Sequence, residues 1–274
     1  MNKKIQILLT NDDGIQSPGL WAAAEKLSQI GYVTVAAPKE QYSGAGRSLP
    51  IHTKGTIHPT KLQIGSQDWT AYAVNGTPAQ VVLHAVMRIM PEPPDLVVAG
   101  INYGENIGEG ITASGTVGAA MEAAALGIPS LAISLQTSPK HHLSHSLEVN
   151  FSAAAHFTRY FAQILLDCSM PEDVWLLKVD VPDDATPETP WRVTRMGLNR
   201  YFLPLVSRDH PWKEHFSIAY EIEKIDPGNT APDTDIYALV IDHVVAVTPL
   251  SLDLTSRVDL PALEKSIRGR LQQG

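Results

Sequence analysis

The chain carries a single cysteine, Cys168. No disulfide can form within it, and no cysteine cage can hold a metal. Cys168 follows the apolar, helix-like stretch from Phe161 to Asp167 and is expected to pack as an inert buried thiol. Long apolar runs are also missing. Nothing approaches the roughly 18 consecutive residues of a membrane span, and the opening Met1-Asn2-Lys3-Lys4 runs straight into a short strand without the core or cleavage site of a secretory leader. A cytoplasmic protein with no membrane partner is expected. Positive charge is scarce: 21 Lys and Arg against 29 Asp and Glu leave a formal net charge of −8. That balance argues against a protein that grips a nucleic-acid duplex through its phosphates. It leaves a small phosphate ester open, because a bound cation reverses the field locally. Neither a Gly-x-Ser-x-Gly elbow nor a P-loop occurs, which disfavours a serine-hydrolase triad and an NTPase core.

What the chain does have is a βαβ rhythm. An aliphatic run at residues 5–10 predicts a buried strand, followed by a helix over 18–29 with Pro18 in its first turn and Gly31 beyond its end. Further buried strands are expected at 32–37, 95–99 and 130–134, with helices over 78–90 and 114–126 between them. This alternation predicts an α/β fold with a mostly parallel sheet and right-handed crossovers. Residues 51–73 break the rhythm with apolar positions spaced by glycine and polar residues and read as a β-hairpin insertion beside the sheet. A helix over 146–166 and a strand over 174–179 complete a core expected to span 1–185. From 186 to 274, prolines punctuate short aromatic segments, an extension expected to pack on the core and on partner subunits.

The candidate chemistry gathers at predicted strand ends. Asn11-Asp12-Asp13-Gly14 puts two carboxylates at the carboxyl end of the first strand, the edge where open α/β sheets build their sites. Two readings fit them: hard ligands for Mg²⁺, Mn²⁺ or Ca²⁺, or a solvated loop in which Asp13 caps the next helix. A glycine- and asparagine-rich loop, residues 100–108, follows the strand at 95–99. It is not a dinucleotide fingerprint, because no helix starts within it. Ser114-Gly115-Thr116 opens a small-residue helix, fit either for plain N-capping or as an anion seat. Ser43 and Arg47 lie in a flexible loop after the second strand. His141, His142 and His145 cluster in what reads as an exposed loop, without the ligand pattern of a metal cage.

Together, the blocks 7–15, 43–44, 74–79, 94–106, 114–120 and 247–250 resemble the stationary-phase survival protein E (SurE) family of bacterial and archaeal nucleotidases. They occur in order over nearly the whole chain. The resemblance implies one divalent cation, Mg²⁺ or Mn²⁺, held by Asp12, Asp13, Ser43 and Asn102, with Asp12 or Asp13 also catalytic. It implies a Rossmann-like three-layer sheet, hydrolysis of nucleoside 5′-monophosphates, with 3′-nucleotides or short polyphosphate as further substrates, and a C-terminal arm that contributes to a homodimer or homotetramer. Phosphate contacts are then expected from Asn11, Asn106, Ser114, Gly115 and Thr116. The alternative is a non-catalytic nucleotide-binding or stress-linked interaction protein. Lys39-Glu40-Gln41-Tyr42, Ala113 and Asp242-His243 depart from the family's usual pattern.

Overall fold

In the computed structural model, which describes residues 4–64, 67–205 and 219–271, strand β1 (Gln6–Thr10) occupies the middle of a nine-stranded sheet. Ile7, Leu8 and Leu9 are fully buried, each contributing on the order of 2 kcal/mol by removal from water. Successive side chains of a strand face opposite sides, so Ile7 and Leu9 enter one core and Leu8 the other. Helices α1 (Pro18–Leu27) and α4 (Ser152–Asp167) cover the first core; α2 (Pro78–His84) and α3 (Gly115–Ala125) cover the second.

The remaining strands of the sheet are β2 (Tyr32–Pro38), β3 (Ile57–Ile64), β4 (Gln67–Val74), β5 (Leu96–Tyr103), β6 (Ser130–Leu135), β7 (Leu176–Val181), β8 (Trp191–Val193) and β11 (Val245–Leu250). Their spatial order is β3-β4-β2-β1-β5-β6-β7-β11-β8. Six neighbouring strands, β4 through β7, run parallel. The chain leaves β1 toward β2 on one side and returns to β5 on the other. The β1–β5 junction is therefore the topological switch point, where a crevice opens beyond the strand ends.

Several expectations need adjustment. The hairpin β3–β4 does not sit beside the sheet but extends it, since β4 pairs in parallel with β2. Thr77 and Gln80 form a reciprocal capping box that starts α2, and the helix changes to a single π turn at Ala85–Ile89 instead of running on regularly to 90. Helix α4 begins at Ser152, where Asn150 Oδ1 accepts the Ser152 N–H at 3.0 Å. It ends at Asp167, so Cys168 stands in extended backbone past the buried stripe and is exposed, contrary to the packing role expected of it. Beyond residue 185, β11 pairs antiparallel with β7, and Val245 and Val247 join the first core. The C-terminal part also supplies a two-stranded ribbon, β9 (Phe202–Leu205) with β10 (Ala219–Ile222), and the helices α5 (Asp235–Val240) and α6 (Leu260–Leu271). No helix among the described residues is long and apolar enough to cross a membrane.

Candidate active site

At the switch point, β1 delivers Asn11-Asp12-Asp13-Gly14 and β5 delivers Asn102. Gly14 turns the chain with φ +96°, a backbone conformation that glycine adopts without cost. Asn11 fastens that turn: its side chain donates to Gly14 O at 3.0 Å and accepts from Gly14 N–H at 3.1 Å. Asn11 is fully buried, and this ring shapes the loop.

Both carboxylates behind the turn are buried, Asp12 at 4% and Asp13 at 2% exposure. Their partners are hydrogen-bond donors. Thr116 Oγ1 donates to Asp12 Oδ1 in a short contact, and the N–H groups of Gly115 and Thr116 lie close enough to favour the charged carboxylate. The anion at the start of α3 is thus the protein's own Asp12. A side chain at Gly115 would place Cβ 2.8 Å from Asp12 Cβ, so only glycine permits this approach. Asp13 Oδ2 accepts Tyr103 N–H at 3.2 Å, and Asp13 Oδ1 accepts from Gln41 Nε2 at 3.0 Å. The same Gln41 amide nitrogen reaches Ser43 Oγ at 2.9 Å and His142 O at 2.7 Å. His145 Nε2 lies 2.9 Å from Asp13 O. Burial raises the pKa of Asp12 despite these donors. Asp13 is pushed well above the usual carboxylate range by burial first and by the Asp12 charge second.

A cleft of about 440 Å³ opens beside Asp12. Asp12, Ser43, Asn102, Asn106 and Ser114 line it, whereas Asp13 and Thr116 stand behind its wall. Thr116 supports Asp12, with its hydroxyl also 3.4 Å from Asn102 Oδ1. Ser114 both caps α3, accepting Val117 N–H at 3.1 Å, and faces the cleft. Asn106 Nδ2 donates to Ser134 Oγ at 2.9 Å. Of the expected ligands, Asp12, Ser43 and Asn102 line the cleft, and Asp13 joins them from behind through Gln41, which reaches both Asp13 and Ser43. All four offer hard oxygen atoms, the donor set that Mg²⁺ or Mn²⁺ prefers. Arg47, in contrast, is drawn away to Glu122 at 2.7 Å.

The far wall holds residues that sequence reasoning missed. His142 is buried, not looped into solvent; its ring stacks on Tyr220 with centroids 6.0 Å apart and meets the Tyr220 hydroxyl at 2.6 Å. Phe202 packs edge-on against both rings. Burial lowers the His142 pKa, so the ring contributes no charge. Glu105 sits on the floor with neither carboxylate oxygen in a well-formed hydrogen bond, and burial pushes its pKa up to about 7. The His142 contacts join residues 60 and 78 positions apart, and of this wall only Glu105 belonged to a motif the sequence singled out for the site. One further trio among the described residues offers three ligands to a single ion, Asp183, Asp184 and His243, but all three are exposed and already well solvated.

The profile of the family described as Survival protein SurE matches residues 7–202. Similar proteins include the 5′-nucleotidase SurE of Thermococcus gammatolerans, 40% identical over 98% of this chain and 99% of that protein. The 5′-nucleotidase SurE of Methanocaldococcus jannaschii is 38% identical over 92% and 93% respectively. Among solved structures, the SurE protein from Aquifex aeolicus superposes with a TM-score of 0.73 at 34% identity, covering 96% of this chain and 98% of that one. By sequence and by fold, the chain belongs to the survival protein SurE family.

Proposed function

We propose that this protein is a 5′-nucleotidase: it hydrolyses nucleoside 5′-monophosphates to nucleoside and inorganic phosphate with the help of one divalent cation, Mg²⁺ or Mn²⁺. The observation that carries the reading is the charge of the cleft. Among the described residues, Asp12, Glu105 and Glu109 line it against a single cationic side chain, Arg200, which is itself paired with Glu109 at 3.2 Å. Such a cleft repels a phosphate dianion unless a cation reverses its sign. Asp12, Asp13, Ser43 and Asn102 would hold that cation. When bound, it supplies Lewis-acid polarisation of a phosphoryl oxygen.

The protein's own groups do the rest. Asn106 and Ser114 bind the phosphoryl oxygens from the cleft wall, aimed before substrate arrives, which is where electrostatic catalysis gains most. Thr116 and the start of α3 favour the charged form of Asp12, and Gln41 and Tyr103 N–H favour that of Asp13, each against the burial that raises its pKa. Phe202, Tyr220 and the neutral His142 ring offer apolar faces to the nucleoside. A homodimer or homotetramer also fits, because Leu260, Leu263 and Ile267 of α6 are about half exposed and association would cover them; light scattering of the purified chain tests that state. Activity on 3′-nucleotides and short polyphosphate belongs to the same reading, since the proposed contacts engage the phosphoryl group.

The test is phosphate release from AMP, 3′-AMP and tripolyphosphate, with Mg²⁺ or Mn²⁺ against EDTA. Metal-dependent release from AMP is expected. Metal-replete protein that releases no phosphate from any nucleotide would overturn the reading.

A further inference from the structure

Asn102 stands near the end of β5 and Asn106 in the loop after it, and beneath that loop lies a set of charges for which the proposed reaction has no use. Lys178 and Asp180 stand two residues apart on β7 and so share one face of the strand. Both are fully buried, as is Asp235 at the start of α5. Lys178 Nζ pairs with Asp180 Oδ2 in a short contact and with Asp235 Oδ2 at 3.2 Å. The other oxygen capacity of these carboxylates goes to backbone. Asp180 Oδ1 accepts Asn106 N–H at 2.7 Å, and Asp235 Oδ2 accepts Gly108 N–H at 3.2 Å. Asp235 Oδ1 accepts Gly197 N–H at 2.8 Å. One buried ammonium thus joins β7, the loop after β5, the segment at Gly197 and the start of α5.

Burial by itself pulls the Lys178 pKa down, and the two carboxylates lift it above its ordinary value, so the lysine stays charged. Buried ion clusters are a poor way to gain stability; apolar residues of similar volume often hold a fold as well or better. What apolar residues cannot supply is a charged acceptor aimed at the N–H groups of a particular loop. The loop's Asn106 then has both its backbone N–H and its side-chain amide fixed, by Asp180 and by Ser134.

We infer that the Lys178–Asp180–Asp235 cluster positions Asn106, holding its amide at the cleft wall where a phosphoryl oxygen binds. The inference rests on the phosphate-binding role proposed above for Asn106. Asp180 touches neither substrate nor cation in this scheme, and is a positioning residue.

Asp180→Ala leaves Lys178 facing Asp235, one cation with one anion, so neither buried charge loses its last partner. Calorimetry of inorganic phosphate binding to the Mg²⁺-saturated full chain, beside AMP kinetics, reads the effect. The phosphate Kd and the KM for AMP should rise about tenfold, the loss of one well-placed hydrogen bond, while Mg²⁺ affinity changes less than about twofold. In an Asn106→Ala background the same substitution should shift phosphate affinity less than about twofold, since it acts through a side chain already removed. The double variant Lys178→Met/Asp180→Asn keeps a neutral acceptor for the Asn106 N–H and should stay within about threefold of the unmutated chain. Wild-type phosphate affinity in Asp180→Ala, or an undiminished loss in the Asn106→Ala background, would overturn the inference. If Asp180→Ala melts below the assay temperature, the double variant decides alone: a tenfold loss in that folded chain refutes positioning, and retained affinity supports it. An unmutated chain that binds phosphate yet hydrolyses no nucleotide counts against the nucleotidase reading, while the calorimetry still judges Asp180.

Discussion

Two pairs of buried carboxylates are built from the same sheet, and the protein treats them differently. Asp180 and Asp235 enclose the ammonium of Lys178, so their cation is part of the chain. Asp12 and Asp13 have no such partner; among the described residues they are met by Thr116, Gln41 and backbone N–H groups, and no ion pair reaches them. Dipoles moderate the cost of two buried like charges but do not cancel it, and both acids are held above their ordinary pKa. A fold that buries acids around its own lysine uses them to fix backbone. A fold that buries acids and gives them only donors leaves the neutralising charge to be bound from solution.

The sharpest way to break this comparison is to neutralise one acid of the open pair. Asp13→Asn should lower kcat/KM for AMP on the order of a thousandfold, about 4 kcal/mol in transition-state terms. The same change should raise the melting temperature of metal-free protein, because it removes a repelling charge. A metal-free variant less stable than its parent would contradict that account. At the closed cluster the same logic predicts the opposite: Lys178→Met strands two acids and should cost about 3–5 kcal/mol of stability by urea unfolding. A loss below about 1 kcal/mol would show that Asp180 and Asp235 do not need the lysine.

Glu105 sharpens the contrast as an acid with neither cation nor firm donors. Its pKa in the fold, about 7, lies above the ordinary 4.5. Between those values the folded chain holds a proton that the unfolded chain has released, so stability falls as pH rises. The penalty is complete above about pH 7 and amounts to about 3 kcal/mol. Glu105→Gln should remove that slope relative to the parent in melts from pH 4.5 to 8, and parallel curves for the two proteins would count against it. The smallest effect is expected at the far wall. Tyr220→Phe removes the hydroxyl that meets His142 at 2.6 Å and should cost about 1 kcal/mol, seen as a rise of a few-fold in KM for AMP with kcat nearly unchanged.

The parts of the molecule that could be read from sequence were those determined locally. The β1 run, the glycine turn after Asp13, the capping box at Thr77 and the hydroxyl-rich start of α3 each depend on a few consecutive residues. The resemblance added Ser43 and Asn102, which spacing alone could not have joined to Asp12. What escaped was decided by contacts across long stretches of chain. Whether Ser114 or Thr116 faces the cleft depends on which hydroxyl Asp12 claims. The His142–Tyr220 stack needs the ribbon β9–β10 to fold back over the loop after β6. Cys168 was misjudged because one residue separates the last turn of α4 from extended backbone. A signal for the closed cluster was present: Lys178 and Asp180, opposite charges at strand spacing inside an otherwise apolar run. Their third member lies 55 residues further on, and only the β7–β11 pairing brings α5 near them.

Calorimetric titration of Mn²⁺ into EDTA-treated protein tests the difference between the two clusters most directly. One ion per chain should bind to the unmutated protein and to Lys178→Met/Asp180→Asn, and none should bind at the same concentrations to Asp12→Asn or Asp13→Asn. Undiminished binding in both aspartate variants would contradict the claim that the open pair takes its cation from solution.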